Sequence, residues 1–60
     1  MPRADQIVEE ASRKRDLAKE IRQMAETMER DVLRDRAIRQ AEKLEAEAVG
    51  LETVARAVRH

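Results

Sequence analysis

Apolar residues recur in steps of three and four along almost the whole chain, and the pattern slips once. In the first half the steps run Ala4, Ile7, Ala11, Ala18, Ile21, Ala25, Met28 and Val32, with Lys14 in the one polar place. In the second half they run Ala37, Ala41, Leu44, Ala48, Leu51, Ala55 and Val58. Such spacing keeps one stripe on one helical face, with alanine at the "a" places and larger residues at most "d" places of a heptad. From Val32 to Ala41 is nine residues, two beyond a heptad, and two residues turn a helix by about 200°. One unbroken helix would therefore point its two stripes in nearly opposite directions.

A chain reversal near "MERDVLR" removes the conflict. The expected fold is all-α: an antiparallel helical hairpin with an alanine-rich heptad seam, one domain over 1–60. Its helices are expected at about 3–28 and 32–58, joined by a turn at about 29–32. Pro2 suits a first helical turn, and Asp5, Glu9 and Glu10 lie near the positive end of the first helix dipole. Arg30 at the end of one helix, and Asp31 with Asp35 at the start of the next, suit the two dipoles at the reversal. That segment has no Gly, Pro or Asn to mark the turn.

Antiparallel helices set "a" against "d", and positions whose numbers sum to 62 then face each other. The pairs are Ala4 with Val58, Ile7 with Ala55, Ala11 with Leu51, Ala18 with Leu44, Ile21 with Ala41, and Ala25 with Ala37. All but the last combine alanine with a larger aliphatic side chain, so the helix axes are expected toward the short end of the roughly 8–10 Å range. Lys14 falls opposite Ala48, where its stem can cover alanine while the ammonium reaches water.

Sixty residues bury only about 60% of the surface their unfolded chain exposes, so a lone hairpin is marginal. Without cysteine or aromatic residues, neither disulfides nor large ring contacts add to it. Leu17, Met24 and Ile38 flank the seam and are expected to form a second apolar stripe. Packing that stripe against another hairpin gives a homodimeric four-helix bundle. Val8 also flanks the seam, while Leu33, Val49 and Val54 fall elsewhere on their helices.

Thirteen basic and thirteen acidic residues cancel, which argues against a dedicated nucleic-acid or anionic-membrane binder. No stretch approaches the roughly 20 apolar residues of a membrane span, and no signal-peptide run opens the chain. The expected location is the cytoplasm. Heavy use of alanine and arginine over lysine points to a GC-rich bacterial gene.

The run "IRQMAETMERDVLRDRAIRQAEKLEAEA", residues 21–48, resembles small helical-hairpin proteins common in proteobacteria. The likeness rests on Ala25-Glu26, Arg34, Ala37-Ile38 and Ala41-Glu42; at the turn this chain has Arg30-Asp31 where members often carry Asp-Pro. The resemblance implies the hairpin shape and no assigned activity.

No catalytic, cofactor or metal residue is expected. His60 is the single histidine and ends the chain, Ser12 lacks a histidine partner, and the Glu-x-x-His pairs of di-iron bundles are missing. Arg13, Lys14 and Arg15, with Arg34, Arg36 and Arg39, are the candidate phosphate contacts of an alternative, a Rop-like nucleic-acid-binding bundle. Against it, Glu9–Arg13, Glu10–Lys14, Asp35–Arg39 and Glu52–Arg56 are all spaced as i,i+4 ion pairs of a solvated surface. Gly50 falls away from the seam, as an exposed residue of a continuous second helix or a kink in it. The expected function is a small, non-catalytic, self-associating structural or protein-interaction module, with itself and another protein as partners.

Overall fold

The computed structural model describes residues 3–59, with side chains described through Val58. Pro2, named above for the first helical turn, and His60, the single histidine, lie outside the described residues. Among the described residues there are two helices: α1, Ala4–Glu26, and α2, Asp31–Arg59. At about 1.5 Å per residue they are roughly 34 and 43 Å long, and the molecule measures 46 × 14 × 13 Å. The two helices therefore lie side by side as a hairpin.

Arg3 occupies the N-cap of α1 in extended backbone, φ −74° and ψ 156°. Arginine has no acceptor for the exposed helix N–H groups, so only the reverse contact of a capping box forms: Arg3 N–H donates to Gln6 Oε1 at 3.0 Å. Asp5 in the first turn faces the positive end of the dipole.

The first helix stops two residues earlier than the spacing predicts. Thr27 and Met28 N–H groups reach back only three residues, to the Met24 and Ala25 carbonyls, each at 3.1 Å. The Thr27 hydroxyl also donates to the Met24 carbonyl, at 2.8 Å. A β-branched residue whose hydroxyl competes for the backbone favours closing the helix with such a tightened turn. The connection is thus residues 27–30, ahead of the expected turn at about 29–32.

Arg30 lies on the far side of that connection. Its carbonyl accepts the Arg34 N–H at 3.0 Å, the first hydrogen bond of α2, so it caps the second helix instead of ending the first. The last turn of α1 has no basic residue. Asp31 does fall in the first turn of α2 as expected.

Among the described residues eight apolar side chains are buried: Ile7, Ala11, Ala18, Ala25, Ala41, Leu44, Ala48 and Ala55. Six are alanine. Ala18, Ala41 and Leu44 form one cluster, with Ile21 packed against it, which brings together both pairs the sum of 62 assigns to those residues. Ala4, Met28, Ala37, Ile38 and Leu51 are half-buried. Val58, assigned to the last layer with Ala4, is 53% exposed.

Val32 departs further. It belongs to α2 and is 67% exposed, because the nine residues separating it from buried Ala41 place it about 180° around the helix. Gly50 sits within an unbroken α2, with no positive φ and no atom within 4 Å of where a Cβ would stand. It is an exposed glycine of a continuous helix, with no break in α2 at that point.

Candidate interaction surface

Among the described residues three ion pairs cross between the helices, each taking its cation from α1 and its anion from α2. Arg22 holds Glu45 through two bonds, Nε to Oε2 at 2.9 Å and Nη2 to Oε1 at 2.7 Å. Arg15 Nη2 donates to Glu52 Oε1, and Lys14 Nζ donates to Glu47 Oε2 at 2.9 Å. The bond from Arg22 holds the Glu45 carboxyl below its ordinary range and is matched by a rise for the guanidinium. In the same way the bond to Glu47 raises the Lys14 ammonium and lowers the Glu47 carboxyl.

These bonds divide the hairpin into two faces. Arg15 and Arg22 reach Glu52 and Glu45 along one edge of the helix contact, so that edge is charged and closed. At 100° per residue, Leu17 and Met24 lie about 140–180° around α1 from the two arginines. Leu33, Leu51 and Val58 lie about 100–140° around α2 from Glu45 and Glu52. Both rows therefore share the opposite face, crossed once by Lys14–Glu47. Leu17 is 47% exposed, Met24 55% and Leu33 48%, with Ile21, Met28 and Leu51 half-buried beneath them.

Ile38 does not join Leu17 and Met24. It lines a recess on the Arg–Glu side together with Arg22, Ala25, Glu26 and Arg34. The reason is angular: Ile38 is four residues before Glu42 and seven before Glu45, so it follows the anion row around α2. Val8 and Val49, also exposed, lie outward on that same side by the same geometry.

Of the candidate phosphate contacts, Arg13 is bound to Glu9 at 3.0 Å, while Lys14 and Arg15 are held across the hairpin. Arg34 turns toward the connection, where Nη2 donates to the Met28 carbonyl at 2.8 Å and Nη1 stands 3.9 Å from Asp31. Its Nε is buried with no hydrogen-bond partner. Among the described residues, Arg36 and Arg39 make no ion pair. The structure does not converge the six on one face. Lys14 and Glu52 leave their expected helical neighbours Glu10 and Arg56 for partners on the other helix, because a cross-helix carboxylate or cation lies within direct reach.

The cross-helix pairs were missed from sequence. Their only signal is arithmetic: the position sums are 61 for Lys14–Glu47 and 67 for both Arg–Glu pairs, close enough to 62 for long side chains to span. Among the described residues, no group of three His, Cys, Asp or Glu side chains is placed to hold a metal ion. No described helix is long and apolar enough to cross a membrane. No family model, curated protein or solved structure matches the chain.

Proposed function

We propose that this chain is a self-associating structural module without catalytic activity, whose hairpins pair into a four-helix bundle that other proteins can bind. One observation carries the reading. The hairpin buries its smallest apolar side chains and leaves Leu17, Met24, Leu33 and Val58 half exposed. Folding of a single copy thus uses little of the hydrophobic side-chain area the sequence contains, while burial of each such large side chain is worth about 1.5–3 kcal/mol. Packing a second hairpin against them recovers that free energy, and small domains commonly gain stability by oligomerising. Sedimentation equilibrium at micromolar concentration tests the reading: a dimer mass is expected, with thermal stability rising with concentration. A helical, cooperatively melting monomer would overturn it.

A further inference from the structure

We infer that a second copy of this chain docks on the Leu17–Met24–Leu33 face with its turn at the same end, setting Glu20 of each copy against Lys43 of the other. The inference rests on the self-association reading and adds the face, the direction and the flanking charges.

Surface area points to a copy of this size. A compact protein of 6.9 kDa exposes about 4,000 Å², whereas the hairpin exposes 4998 Å². The excess of about 1,000 Å² matches the roughly 800 Å² that each partner contributes to a standard stable interface. A copy placed over the full 46 Å length is the partner whose dimensions fit this face.

The choice of face follows from charge. On the Arg–Glu side, Arg15, Arg22, Glu45 and Glu52 already satisfy one another, and covering them would desolvate two ion pairs, against the single Lys14–Glu47 pair that crosses the other face. The other face carries Leu17, Met24 and Leu33 over Ile21, Met28 and Leu51. Its rims hold Glu20 on α1, three residues after Leu17, and Lys43 on α2, one before Leu44. Neither makes an ion pair within the chain among the described residues, and by the sum of 62 they lie at nearly the same height.

A two-fold axis along the hairpin stacks α1 of one copy on α2 of the other. Leu17 then falls over Leu44, Met28 over Leu33, Arg13 near Glu47, and Glu20 beside Lys43, each contact made twice. Opposite-running copies stack α1 on α1, which sets Met24 against Glu10 and Arg36 against Val54.

The test is sedimentation equilibrium of the full chain and five variants: Met24→Glu, Val49→Glu, Glu20→Lys, Lys43→Glu and the Glu20→Lys/Lys43→Glu double. Circular dichroism verifies that each keeps its helix content. Met24→Glu is expected to abolish the dimer and Val49→Glu to leave it intact. Each single reversal should weaken the dimer about three- to tenfold, as exposed pairs made twice would, and the double should restore it. A double weaker than either single overturns the same-direction docking. A dimer lost with Val49→Glu but kept with Met24→Glu overturns the face while leaving self-association standing, and a monomeric parent chain overturns both.

Discussion

Lys14 Nζ stands 2.9 Å from Glu47 Oε2 across the two helices, in the one polar place of an otherwise apolar repeat. Burial of the lysine stem against the helix contact leaves the ammonium at its edge, where Glu47 meets it. With Arg22–Glu45 it makes folding sensitive to pH at both extremes. Glu45 and Glu47 lie below their ordinary value of 4.5 when folded. Their contribution is fully present above that value and is lost as pH falls through the folded one. Lys14 lies above 10.5, so its contribution is present below that value and is lost as pH rises through the raised one. Urea unfolding should show flat stability between about pH 5 and 10 with a decline on either side. Glu45→Gln/Glu47→Gln should shrink the acid decline, and an unchanged decline would show that these bonds add nothing to folding.

Ala18 and Ala41 are both 0% exposed and leave no room at the centre of the helix contact. Leucine at either site should cost about 1–3 kcal/mol through overpacking. Ala46→Leu, on an exposed position, should change stability by less than about 0.5 kcal/mol. Chemical denaturation of the three variants checks the assignment, which fails if all three respond alike.

Gly50 meets nothing within 4 Å of its missing Cβ, so alanine there adds no clash. Gly50→Ala should stabilise the hairpin by about 1 kcal/mol, a rise in Tm of about 4–8 °C for a domain of this size. A fall in Tm would mean that a close neighbour outside the single hairpin occupies that space.

Arg30 caps α2 with a side chain that cannot accept a hydrogen bond. Arg30→Ser supplies the missing acceptor for an N–H of the first turn and should add about 0.5–2 kcal/mol. Thermal melts of this variant beside Arg30→Ala separate the cap from the loss of a cation: serine should exceed alanine.

The hairpin and its alanine core were legible because both follow from angle alone. A slip of two residues between Val32 and Ala41 cannot be accommodated by one straight helix, and the period of seven through Ala11, Ala18 and Ala25 survives into the buried set. The position of the turn was less legible, because a Thr27 hydroxyl bonding back to Met24 is a local competition that spacing does not encode. Ile38 was misplaced for a related reason. A residue beside the contact can lie on either face, and only the side on which Arg22 finds Glu45 distinguishes them. The interaction face was half legible: Leu17 and Met24 stood out because they flank the seam, whereas Leu33 did not, since it faces the same way only once the helices are set in register.

The three cross-helix bonds have a uniform polarity, with Lys14, Arg15 and Arg22 on α1 and Glu45, Glu47 and Glu52 on α2. Two first helices brought together would set three cations against three cations, and two second helices three anions against three anions. Alanine repeats by themselves are nearly alike on both segments and would tolerate either mismatch. The segregation of sign therefore works as a matching rule between the two segments, one that favours a first helix beside a second helix over like beside like.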